Sequence, residues 1–104
     1  MERNHELALY VAYYLSRFDK EALNNLKYNT WTEAFNDIAT RMNVQKHSVK
    51  NWRDEFDPLH GHRAGWHKRA MAPSRIFVAE EMKNLNEEEI RKIVLKILNQ
   101  NTLK

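Results

Sequence analysis

The chain has 104 residues, enough for one domain with a modest core, and 42% of them are hydrophobic, as in a globular protein. Cysteine is absent, which excludes disulfides and thiolate metal sites, and no apolar run approaches the length of a membrane span. Glu2 and Glu6 interrupt any signal-peptide pattern, so we expect a cytoplasmic protein. With 2 glycines and 2 prolines, long helices are expected, and we predict an all-α bundle of about five to six helices.

The formal net charge of +3 is only mildly basic, but the charges are unevenly distributed. Cations dominate between Gln45 and Arg75, whereas acidic residues cluster after Val78. A basic region of this kind favours a nucleic-acid partner more than the net charge alone does.

The first predicted helix covers residues 5–18 and carries an apolar stripe, so we expect it to form the back wall of the core. Three tyrosines widen this stripe: Tyr10, Tyr13 and Tyr14. They favour ordinary half-buried packing, with a dimer contact as the alternative. Asp19 is placed to cap a short second helix that ends near Asn24 and Asn25.

Residues 35–54 have the spacing of two short helices joined by a tight turn. Thr30 and Glu33 form a capping box that starts the first helix, and Asn43 suits a left-handed turn position. The predicted buried positions are Ile38, Ala39, Met42, Val44, Val49 and Trp52. The second helix is predicted over about 45–56, ended by Pro58. This pattern indicates a helix-turn-helix at the centre of the fold.

In such a motif the second helix enters the major groove of double-stranded DNA. The residues predicted to face outward, and therefore to bind DNA, are Gln45, Lys46, His47, Ser48, Lys50, Asn51 and Arg53. Amides pair well with adenine, and cations with guanine or phosphate. We expect the amino-terminal half to read bases, Arg53 to contact a phosphate, and Thr32 and Thr40 to touch the backbone. The alternative is a structural hairpin without DNA.

A basic loop over residues 60–75 is the second predicted contact with DNA. Its cations are Arg63, Lys68, Arg69 and Arg75. Such an arm follows phosphates or enters the minor groove, unless it is simply a solvated loop. Trp66 favours packing onto the core, with stacking on a base as the alternative.

Three histidines in the same loop raise the question of a metal site: His60, His62 and His67. The H-x-H spacing suits one face of a strand, but nothing nearby predicts a strand. Asp57 could be a further ligand, but a closed zinc site usually has better-spaced ligands and often thiolates. We predict no metal and no cofactor, and histidines that face solvent or phosphate.

Ser74 is predicted to cap the next helix, and Asn86 the last one, with Glu87 to Glu89 in its first turn. The last helix has one apolar stripe: Ile90, Ile93, Val94, Ile97 and Leu98. We expect a single domain over residues 1–98, and in residues 99–104 a polar tail or the start of a linker.

Nothing in the sequence assembles an active site. The E-x-K triplet at Glu81–Lys83 matches metal-dependent nucleases only on a buried strand, and here it lies on a predicted helix. No nucleophile elbow or phosphate-binding loop is present. We predict that the chain is not an enzyme.

Residues 35–54 resemble the helix-turn-helix DNA-binding family. Together with LALYVAYYLSRFD, NTWTEAFNDIA, VKNWRDEFDPLH and GWHKRAMAPSR, they resemble amino-terminal modules of bacterial restriction and defence proteins, which precede nuclease or ATPase segments. This resemblance implies a DNA-targeting domain whose catalysis lies elsewhere. The same motif also suits a transcriptional regulator, and the expected partners are duplex DNA together with a second copy of the chain or an attached nuclease or ATPase domain. The alternative class is a protein-interaction or dimerisation module that uses the tyrosine-rich first helix, and RNA binding is less favoured because no strand platform is predicted.

Overall fold

The computed structural model describes residues 3–60 and 72–100, and in this part of the chain five helices account for the regular structure. They are α1 (Arg3–Asn25), α2 (Trp31–Met42), α3 (Lys46–His60), α4 (Pro73–Met82) and α5 (Glu87–Gln100). The predicted all-α bundle is therefore confirmed.

Helix α1 lies at the centre of the bundle and packs against each of the other four helices. All six residues from Val11 to Ser16 are buried, and six consecutive positions cover every side of a helix. The expectation that this helix forms a back wall is wrong, because partners surround it. Tyr13 and Tyr14 are buried within the chain and are not exposed for a partner.

A kink divides α1 at Asp19, whose backbone has φ 49° and ψ −122°. The predicted break between two helices is thus present at the predicted residue. Asp19 does not, however, adopt the extended conformation of an N-cap, and a positive φ is costly for a residue with a Cβ. The second part of α1 buries Ala22 and Leu23 and ends where predicted.

The α2–turn–α3 unit follows the sequence prediction closely. Thr30 Oγ1 accepts a hydrogen bond from the Glu33 N–H at 3.1 Å, and Glu33 Oε1 accepts one from the Asn29 N–H at 2.9 Å. Asn43 ends α2 with φ 57° and ψ 47°, in the left-handed region. Val44 then donates its N–H to the Ala39 carbonyl at 3.0 Å. The tight turn is therefore built from backbone geometry that asparagine tolerates well.

Helix α3 does not end before Pro58 but continues to His60, so the predicted boundary near Phe56 is wrong. A proline removes one hydrogen-bond donor, but packing just before it holds the chain on α1. The Phe56 ring meets Tyr13 edge-on with centroids 5.3 Å apart, and Ser16 Oγ donates to Asp57 Oδ1 at 2.6 Å. Asp57, considered as a metal ligand, is a fully buried hydrogen-bond acceptor.

Helix α4 begins at Pro73 with Ala72 as its N-cap, so the prediction of Ser74 as the cap is wrong. Proline at the first helical position has a suitable φ and needs no partner for an N–H. The predicted cap of α5 is confirmed: Asn86 Oδ1 accepts the Glu89 N–H and Glu89 Oε1 accepts the Asn86 N–H, both at 2.9 Å. Of the predicted stripe, Ile93 is half-buried and the rest are buried.

Within residues 3–60 and 72–100, no helix combines the length and the apolar character needed to cross a membrane.

Candidate nucleic-acid interface

The amino-terminal half of α3 and the residue before it carry the exposed polar side chains that the sequence predicted. Gln45, Lys46, His47 and Lys50 are exposed, while Ser48 and Asn51 are half-buried. Val49 and Trp52, on the opposite side, are buried. Helix α3 therefore presents a polar and cationic face to solvent while its apolar side holds it in the bundle.

The first turn of α3 lacks acidic residues, a feature that it shares with α4. Acidic residues occupy the first turns of α1, α2 and α5, where they interact favourably with the positive end of the helix dipole. The first turn of α3 has none and begins with Lys46 and His47. Cations and the free N–H groups of the helix end therefore coincide, an arrangement that attracts anions.

Lys50 is exposed but not isolated. Its Nζ lies 3.2 Å from Asp54 Oδ2, one turn later on α3, and its side chain remains 54% exposed. A surface pair of this kind contributes little stability, so the ammonium group can turn toward another anion at small cost.

Arg53 is not on the exposed face, and the expectation that it points outward is wrong. Its side chain is 8% exposed, and its guanidinium carbon lies 4.7 Å from the Trp31 ring centroid and 5.0 Å from that of Phe35. Its Nη2 donates to Asp54 Oδ1 at 3.1 Å. Nε is buried, and within the described residues it has no hydrogen-bond partner. Arg53 thus joins α3 to α2 through aromatic stacking.

The helical phase of α3 could have revealed this. Position 53 follows Val49 by four and precedes Phe56 by three, so it lies on the buried stripe with Trp52. The charge of arginine suggested solvent, but its planar group stacks readily on aromatic rings.

A recess of about 190 Å³ opens between the amino-terminal halves of α2 and α3, beside the cationic face. Its lining residues are Thr32, Phe35, Asn36, Lys46, His47 and Lys50. We call it the α2–α3 recess. The sequence had suggested Thr32 as a contact but had missed Phe35 and Asn36. Asn36 follows Thr32 by one turn and could have been found from that spacing.

Thr40 lies away from the α2–α3 recess. Its hydroxyl donates to the Asn36 carbonyl at 2.9 Å, and its side chain borders a different groove, between α2 and α5. The sequence predicted that Thr32 and Thr40 both contact the DNA backbone, but in the structure they border different grooves.

That second groove, of about 660 Å³, contains a hydrogen-bonded cluster. Tyr28 donates to Asp37 Oδ2 at 2.6 Å, and Arg41 Nε donates to the same oxygen at 2.8 Å. Burial alone would raise the pKa of Asp37, but the two hydrogen bonds outweigh it and hold that pKa below its ordinary value. Burial and the bond to Asp37 raise the pKa of Tyr28. The cluster fixes the α1–α2 turn against α2.

Arg75 is the cation of the predicted basic loop that lies among the described residues. Arg75 lies in α4, where its Nε pairs with Glu55 Oε1 on α3 at 3.0 Å, and its side chain is 16% exposed. Arg63, Lys68, Arg69, Trp66, His62 and His67 lie outside the described residues, as does the His60 side chain. Arg75 therefore connects α4 to α3 rather than extending along a loop.

Among residues 3–60 and 72–100, no group of three or more histidine, cysteine, aspartate or glutamate side chains could hold a metal ion. Comparison of the chain with protein-family models, curated proteins and solved structures gives no match.

Proposed function

We propose that this chain is a double-stranded DNA-binding module that places the amino-terminal half of α3 in the major groove. The observation that carries the proposal is the first turn of α3: exposed Lys46 and His47 stand at the positive end of the helix, with exposed Lys50 one turn on. Backbone N–H groups, cations and amides at one helix end suit contact with phosphates and base edges together.

The geometry supports distinct roles for the residues. Gln45, Lys46 and His47 lead into the groove and read base edges, while Lys50 takes a phosphate or a guanine. Arg53 is reassigned from phosphate contact to support of the α2–α3 packing. The module would serve as the DNA-targeting part of a restriction or defence system, or as a transcriptional regulator.

The test is duplex binding by a charge-removal variant. Lys46→Ala/Lys50→Ala should weaken binding to duplex DNA on the order of tenfold at low salt, because two phosphate-attracting charges are lost. Fluorescence anisotropy with a labelled duplex measures this, and circular dichroism checks that the helices persist.

Lys92→Ala/Lys96→Ala is the matched control. It removes the same charge from exposed positions on α5, where Lys92 pairs with Glu88 much as Lys50 pairs with Asp54. Equal losses in both variants would contradict the assignment to α3. Failure of the wild type to bind any duplex at low salt would overturn the proposed function, and stronger binding to RNA would redirect it.

A further inference from the structure

The lining of the α2–α3 recess differs in polarity from the rim around it. Its rim carries Lys46, His47 and Lys50, yet its exposed lining is mostly apolar. Phe35 is the aromatic residue of the lining, and 8% of it is exposed. A small apolar depression surrounded by cationic, hydrogen-bonding side chains indicates a ligand that is a polyanion and carries an apolar group.

Contacts with Trp31 and Arg53 hold Phe35 in place in the lining of the recess. The Phe35 ring stacks on Trp31 at 5.8 Å between centroids and 24° between planes, and the guanidinium of Arg53 lies against both rings. Two side chains, Trp31 from α2 and Arg53 from α3, thus fix the orientation of Phe35. This accounts for a buried arginine in a motif where the sequence suggested an exposed one.

Duplex DNA offers one apolar group in the major groove, the C5-methyl of thymine, whereas the other base-edge groups there donate or accept hydrogen bonds. A phenylalanine ring gains by covering that methyl group and gains nothing from a polar edge. The cationic rim attracts the phosphates that flank the base. Both features of the recess are satisfied by the same ligand.

We infer that the α2–α3 recess receives the 5-methyl group of a thymine, and that this contact contributes to sequence choice. The inference rests on the proposed binding of duplex DNA. It adds Phe35, Thr32 and Asn36, all on α2, to the reading surface, which the sequence had confined to residues of α3 and the turn before it.

The experiment replaces thymine by deoxyuridine, which removes one methyl group and leaves the hydrogen-bonding edge intact. A duplex selected by the protein from a random pool is synthesised with each thymine replaced in turn. One position should lose about fourfold in affinity, the effect expected for exposing one methyl group.

Two threonine variants locate the contact. Thr32→Leu places extra apolar volume in the recess and should bring the thymine-to-uracil affinity ratio close to one. Thr40→Leu makes the same change two turns later, outside the recess, and should keep the wild-type ratio. Asn36→Leu, on the recess, is a second filling variant in case Thr32→Leu does not fold.

The outcomes are distinguishable. A duplex that binds well but is insensitive to every uracil replacement, or a selected site without thymine, would overturn the inference and leave the proposed function intact. A thymine preference that survives both filling variants would also overturn it. Absence of duplex binding would remove the proposed function and the inference together.

Discussion

Asn43 turns the chain between α2 and α3, and Arg53 joins the two helices through its contacts with Trp31 and Phe35. Asn43 was predictable, because a positive φ at a helix end favours glycine or asparagine, and its φ of 57° agrees. Arg53 was misassigned because its charge outweighed its position on the buried stripe. The position alone indicated burial, but only the structure brings Trp31 and Phe35 against the guanidinium. Long-range aromatic partners cannot be read from local spacing.

The structural role of Arg53 gives a prediction about stability. Arg53→Ala should lower the free energy of unfolding by about 2 kcal/mol, because it removes a desolvated cation–π contact and the packing of the side-chain stem. Urea denaturation followed by circular dichroism measures this. Lys50→Ala, on the exposed face of the same helix, should change stability by less than about 0.5 kcal/mol. An Arg53→Ala protein as stable as the Lys50→Ala protein would contradict the buried role.

Helical elements were predicted best where a cap and an apolar stripe agreed. Helices α2 and α5 have both, and their starts at Trp31 and Glu87 match the sequence prediction. The end of α3 and the start of α4 did not match, because proline has opposite effects in different contexts. Pro58 lies inside α3, whereas Pro73 begins α4. At Pro58, the contacts of Phe56 and Asp57 with α1 hold the chain in the helix, and local sequence patterns do not predict such long-range contacts.

The positive charge at the amino terminus of α3 gives a prediction about the stability of the protein and its binding to DNA. Lys46 stands at the positive end of the helix dipole, where a cation is unfavourable for the helix itself. Lys46→Glu should therefore raise the free energy of unfolding by about 0.5 to 1 kcal/mol while it weakens duplex binding.

Thermal unfolding and anisotropy on the same Lys46→Glu sample test both effects. A variant that is destabilised, or that binds DNA as tightly as the wild type, would show that Lys46 is not retained for contact with an anion.

In the whole molecule, α1 packs against every other helix, and α3 exposes its polar side to solvent. The sequence correctly indicated an all-α fold and the outward residues Gln45, Lys46, His47 and Lys50. It could not indicate the α2–α3 recess, because that depends on the packing of two helices against each other. It also could not show that Arg75 pairs with Glu55 across α3 and α4.

The salt dependence of duplex binding shows whether the amino-terminal half of α3 contacts DNA phosphates. The logarithm of the association constant should fall linearly with the logarithm of salt concentration, by about 0.9 for each phosphate contact. Lys46→Ala/Lys50→Ala should make this slope shallower, by about 0.9 for each of the two lysines that neutralises a phosphate, whereas Lys92→Ala/Lys96→Ala should leave it unchanged. If all three proteins share one slope, or if the wild type shows no binding to titrate, then α3 is not the surface that contacts DNA.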